Sequence, residues 1–204
     1  MGCSDIQKTN TLNYIAQTSL WNTIQQGSTR IIAQAGVIGT EIIGDVYLGA
    51  QASLGHNQIS GRATCSTQAS LWGGNTVNGD AYVMAQGSLF YKNNISGNAT
   101  WATQAVLLGI NKIGGTAVHT VQVSLGVNFV GADLTQFSAQ IGPVNMAQNL
   151  KQSIQIGFYC QAKSLNRSAQ LCLLSSGNIT GGPSLQVGIR TDQKSKLNIF
   201  SLGF

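Results

Sequence analysis

From Ala63 to Leu71 the chain alternates in character. Apolar or small residues stand at Ala63, Cys65, Thr67, Ala69 and Leu71, and polar ones at Thr64, Ser66, Gln68 and Ser70. A period of two is the mark of a strand with one buried and one exposed face. The register returns at Ala81, Val83, Ala85, Gly87 and Leu89, again at Ala99, Trp101, Thr103, Ala105 and Leu107, and again at Ala117, His119, Val121, Val123 and Leu125. Each stretch predicts a strand of roughly nine residues. Taking the apolar face as the inner one makes Leu54, Leu71, Leu89, Leu107 and Leu125 core residues, so that Leu107→Asp should abolish folding. Gly73-Gly74-Asn75, Lys92-Asn93-Asn94, Gly109-Ile110-Asn111 and Gly126-Val127-Asn128 follow the strands and read as corners, since Gly and Asn tolerate left-handed backbone.

A glutamine marks the same place in every unit. Gln17, Gln34, Gln51, Gln68, Gln86, Gln104, Gln122 and Gln140 recur every 17 or 18 residues, and a fixed short period means one unit copied and stacked. An antiparallel meander gives no reason for the same residue at the same offset in each unit. Parallel stacking does, because equivalent side chains then lie ~4.8 Å apart and a column of amides can bond along its length. The predicted fold is therefore all-β, a parallel β-solenoid (β-helix) with 17–18-residue coils. Gln51, Gln68, Gln86, Gln104, Gln122 and Gln140 are its expected ladder and assembly residues. After Gln140 the interval shortens, with Gln155, Gln170 and Gln186 at steps of 15, 15 and 16. This divides the chain into an N-terminal cap or assembly segment (1–16), the solenoid repeats (17–142) and a C-terminal β-rich part with shorter coils and a terminal capping strand (143–204). Pro143 supports the boundary because proline removes a ladder donor.

Composition narrows the function classes. Only 8% of the 204 residues are charged, against about 25% in ordinary globular proteins, and 43% are hydrophobic, which argues for a folded chain rather than a disordered one. The net charge of +5 comes from 11 Lys and Arg spread thinly against 6 acids. A nucleic-acid surface would concentrate them in a stripe with aromatics, so no nucleic-acid partner is expected. No stretch reaches the ~18 apolar residues of a membrane helix, and the opening Met1-Gly2-Cys3-Ser4-Asp5-Ile6 lacks the basic and apolar regions of a secretory signal. The tryptophans Trp21, Trp72 and Trp101 fall at different offsets, which predicts no aromatic ladder.

The residues Gly97-Asn98-Ala99-Thr100-Trp101-Ala102-Thr103-Gln104 and Gln140-Ile141-Gly142-Pro143-Val144-Asn145-Met146-Ala147 resemble fragments of the curlin repeats of bacterial functional amyloids. The coil length is also similar to that of bactofilins, polymer-forming β-helices. Both resemblances imply subunits that stack on one another.

Candidate chemistry is sparse. Cys3, Cys65, Cys160 and Cys172 form no Cys-x-x-Cys pair, which argues against a metal site and leaves disulfides within or between chains. Asp45, Asp80, Arg62 and Asn98 fall in one column of neighbouring coils and read as a solvated turn. His119 lies on the apolar register, as a buried or half-buried side chain. No phosphate loop, nucleophile elbow or acid–base pair is evident, so no catalytic residue, metal, cofactor or small-molecule substrate is expected. The reading with most support is a non-enzymatic structural subunit, extracellular or at a cell surface, forming a homopolymer by strand stacking. A binding solenoid of ice-binding or adhesin type is the first alternative. An outer-membrane β-barrel, suggested by strands of about ten residues and the terminal Phe204, is the second.

Overall fold

The computed structural model describes the backbone of residues 3–7, 12–190 and 200–203, and the side chains of 14–23, 30–180 and 182–189. All of its regular structure is strand. Each coil lies in register on its neighbours and runs in the same direction: Ala63 beside Ala81 and Gln68 beside Gln86, then Asn75 beside Asn93. About ten turns rise in this way as a parallel β-solenoid. The parallel pairing rules out the β-barrel alternative, because transmembrane barrels are built from antiparallel neighbours.

Two apolar columns line part of the bore. Ile42, Ile59, Val77, Ile95, Ile113 and Val130 form one, and Val46, Ala63, Ala81, Ala99 and Ala117 the other, all buried in one cluster. The columns exchange sizes as the stack rises. The first falls from Val130 to Ala147 and Ala162, while the second grows from Ala117 to Leu134, Leu150 and Leu165. Total volume per layer is thereby held nearly constant, as close packing requires.

The rest of the bore is polar, which reverses the expected assignment of faces. Gln68 and Ser70 point inward, and Ala69 and Leu71 outward. Leu54 is 49% exposed, Leu107 47% and Leu125 62%; Leu71 is exposed as well, and Leu89 is half-buried. These leucines are not the core. Alternation tells only that the two faces differ. Which face turns inward depends on whether the polar side can satisfy its hydrogen bonds inside, and here it does. A corner between Ala63 and Ser66, both buried, also shifts the parity, so Ala63 faces in as expected while Cys65, Thr67 and Ala69 face out.

The asparagines read as corner residues are also inside. Asn57, Asn75, Asn93, Asn111, Asn128 and Asn145 are fully buried in strand segments such as Asn75–Val77. Left-handed backbone occurs at Tyr91, beside one expected corner, and at Gln136, but it recurs regularly at Trp101, His119, Phe137, Gln152 and Arg167, with φ between 50° and 59°. These five occupy one corner in successive coils.

The stack crosses residue 143 without a break, since Gln155 bonds to Gln140 and Val144 lies beside Tyr159. What changes is the room inside. Two residues after the column glutamine, Ser70, Val106 and Ser124 give way to Gly142 and Gly157. A Cβ on Gly157 would lie 2.7 Å from Asn145 Nδ2, so glycine is needed where that asparagine stands opposite. At the far end Phe200–Gly203 pairs antiparallel with the last coil, Leu202 beside Leu185 and Ser201 beside Gln186.

Candidate functional site

The glutamine column is a continuous hydrogen-bonded chain. Each amide nitrogen donates to the amide oxygen one coil below, from Gln34 to Gln17 (2.8 Å) through Gln68 to Gln51 (2.7 Å), Gln104 to Gln86 (2.7 Å) and Gln122 to Gln104 (2.7 Å). The chain continues from Gln140 to Gln122 (2.8 Å) up to Gln186 donating to Gln170 (2.8 Å). The nitrogens also reach across the bore: Gln104 Nε2 to the Lys112 carbonyl at 3.2 Å and Gln140 Nε2 to that of Met146 at 3.1 Å. These carbonyl partners fix which end of each amide is nitrogen. Gln104, Gln122 and Gln140 have no solvent exposure, and a buried amide is tolerable only when paired in this way.

A second amide ladder runs beside it with the opposite sense. Asn57 Nδ2 donates to Asn75 Oδ1 one coil above (2.8 Å), Asn75 to Asn93 (2.9 Å), Asn93 to Asn111 (3.0 Å) and Asn128 to Asn145 (2.8 Å). Glutamines donate downward and asparagines upward, so the two columns of side-chain dipoles oppose each other rather than adding along the axis. Each asparagine also ties the next strand, as Asn93 Nδ2 to the Ala105 carbonyl (2.7 Å) and Asn145 Nδ2 to that of Ile156 (2.8 Å). The sequence carried a signal for this ladder, an Asn five to seven residues after each column Gln from Gln51 to Gln140, but the same residues fit a turn equally well.

Cys160 follows Asn145 in this second column. It forms a disulfide with Cys172, with Cα atoms 6.0 Å apart. The pair joins two successive coils of one chain, the within-chain alternative of the two that the cysteine count left open. Cys65 is free and exposed, not disulfide-bonded, because its place at the outer corner holds it away from the bore. The Cys3 side chain lies outside the described residues.

The outer corner holds what the tryptophan offsets concealed. Trp101 and His119 stack at 4.2 Å with planes 4° apart, and His119 and Phe137 follow at 6.4 Å. The column is aromatic although no residue type repeats in it, so counting tryptophans alone missed it. His119 is half-buried between its two ring neighbours. Above Phe137, a groove of about 670 Å3 runs past Gln152, Arg167 and Pro183, with Ile154 and Leu185 on its other side.

Charged groups sit at other corners. Asp45 Oδ1 accepts from the Arg62 backbone N–H at 2.7 Å, Asp80 Oδ1 from that of Asn98 at 2.7 Å, and Asn98 Oδ1 from that of Thr116 at 2.9 Å. Each carboxylate or amide thus caps the coil above. The Arg62–Asp45 ion pair is 3.4 Å and exposed, and contributes little. Asp133 accepts from Lys151 Nζ and Asn149 Nδ2, both at 2.7 Å. Burial pulls its carboxyl up, but these two bonds and the Lys151 charge outweigh burial and hold it below the ordinary carboxylate value. Among the described residues, no three His, Cys, Asp or Glu side chains come together. No protein-family model, no curated protein and no solved structure matches the chain.

Proposed function

We propose that the chain is a structural, non-catalytic subunit that joins copies of itself end to end by parallel strand stacking. Its product is a filament, sheath or layer outside the cell or at the cell surface. One observation carries the reading: among the described residues, Gln186 Oε1 is buried and without a hydrogen-bond partner. The oxygens below it from Gln17 to Gln170 each accept a bond from the coil above, as Gln170 does from Gln186. The last acceptor is orphaned inside the bore, at a cost of about 1–3 kcal/mol. A further coil bringing one more glutamine amide removes that cost and extends the ladder. The antiparallel strand Phe200–Gly203 covers the edge beside Gln186, so an incoming coil competes with it. The disulfide fits an oxidising compartment.

Negative-stain electron microscopy of the purified chain, intact and ended after Arg190, tests the reading. Filaments or sheets from either form are the expected result. Monodisperse particles from both, across concentration and reductant, overturn it.

A second reading, a binding solenoid of adhesin type, is favoured by the groove above Phe137, whose ring is 81% exposed. An ice-binding face is disfavoured, because the column Thr64, Tyr82, Thr100, Val118 is mixed in size and polarity.

A further inference from the structure

Among the described residues, the outward positions flanking the column glutamines carry no charge. The positions just before each glutamine are Ala33, Ala50, Thr67, Ala85 and Thr103 in the lower coils and Val121, Ala139, Ile154, Ala169 and Leu185 in the upper ones. The positions just after it are Ala35, Ala52, Ala69, Gly87 and Ala105, then Val123, Ile141, Ile156, Leu171 and Val187. The flanking column of Leu54, Leu71, Leu107 and Leu125 is exposed on the same side. With eleven layers at ~4.8 Å and a width of ~15 Å, the face covers roughly 700 Å2. That is more than a soluble monomer usually leaves bare.

Its relief is graded. The lower half is a shallow trough of about 610 Å3, floored by the small residues from Ala16 to Ala105, and the trough ends where Val121 and Val123 begin. The upper half is a ridge of branched side chains broken only by Ala139 and Ala169. A two-fold axis lying between the two faces, parallel to the strands and level with the Thr103–Ala105 coil, brings each half against the other half of a second copy. The layer of Ala50 and Ala52 then meets Ile154 and Ile156, that of Thr67 and Ala69 meets Ala139 and Ile141, and that of Ala85 and Gly87 meets Val121 and Val123.

From this we infer that the glutamine sheet's outer face binds the same face of a second copy, antiparallel, with the ridge of each seated in the trough of the other. Two such faces bury roughly 1,400 Å2, within the range of stable interfaces, and an isologous contact closes on itself. A lipid surface or an unrelated flat partner would give no reason for small residues in one half and large in the other. The choice of partner rests on the self-assembly reading, but the surface is the side of the solenoid, not its ends.

Gly87 provides a clean test, since a Cβ built there meets nothing within 4 Å. Sedimentation velocity in the micromolar range should show a dimer for the native chain and a monomer for Gly87→Arg, with the same circular dichroism and melting temperature. Orientation is read in a Cys3→Ser, Cys65→Ser background with a short bismaleimide. Ala52→Cys mixed with Ile156→Cys should cross-link between chains, and Ala52→Cys alone should not. A native monomer, a Gly87→Arg dimer, or cross-linking of Ala52→Cys to itself overturns the inference. Filaments unaffected by Gly87→Arg, with no dimer in dilute solution, overturn the lateral contact and leave end-to-end stacking standing. A Gly87-dependent dimer that never grows into filaments does the reverse.

Discussion

Cys160 stands directly on Asn145 in one column of the bore and takes over its task by different chemistry. Asn145 ties the following strand through the Ile156 carbonyl, whereas Cys160 ties it through a covalent bond to Cys172. Cys172 in turn occupies the position that Gly157 holds one coil below. The Cys pair is therefore an Asn–Gly pair rewritten. Replacing both cysteines by serine should cost about 2–4 kcal/mol, with amide exchange accelerating first in the coils above residue 155. Cys160→Asn combined with Cys172→Gly copies the coil beneath and should recover most of that loss. Denaturant titration of the two double variants gives the comparison, and equal stability of the two would contradict the equivalence.

Gln104 has three amide bonds: to Gln86, to the Lys112 carbonyl and from Gln122. Gln104→Ala leaves their partners unpaired in a dry bore, at about 1–3 kcal/mol each, so a loss on the order of 3 kcal/mol or more is expected in urea unfolding. Gln104→Glu should be worse at neutral pH and partly restored in acid, where the carboxyl is protonated and the buried charge removed.

Leu107 provides the counter-test for the face assignment. It lies outside, so Leu107→Asp should fold with near-native stability as a monomer. Ile113, with no exposure, should not tolerate Asp. Circular dichroism and thermal melts of the two variants decide which face is core.

Ending the chain after Arg190 removes the strand that covers the edge of Ser184 to Val187. An unpaired edge templates further strands, so light scattering should show a shorter lag and faster growth than for the whole chain. Slower growth would make Phe200–Gly203 part of the joint rather than its cover.

Asp133 gives a modest pH dependence. Its carboxyl titrates lower in the folded chain than in the unfolded one, so its contribution is present above the ordinary carboxylate range and is lost as pH falls through the folded value. Asp133→Asn should flatten the acid limb of a melting-temperature profile below about pH 4 and leave the neutral region nearly unchanged.

The sequence alone determined the architecture. The glutamine interval fixed coil length, direction and stacking, because only parallel layers return one residue to one place, and the shortening from Gln140 onward was legible in the same count. Alternation around Gln68 likewise showed that strand faces differ. It did not decide which face is inner. Leu71 looks like core and Gln68 like surface until both amide ladders are assembled, and their energy exists only between coils, once every nitrogen from Gln34 to Gln186 has an oxygen below it. The pairing of Cys160 with Cys172, the stacking of Trp101 on His119 and the trough along Ala52 and Ala69 depend in the same way on which coils become neighbours and where each corner turns. Those distances belong to the stack, and no single repeat contains them.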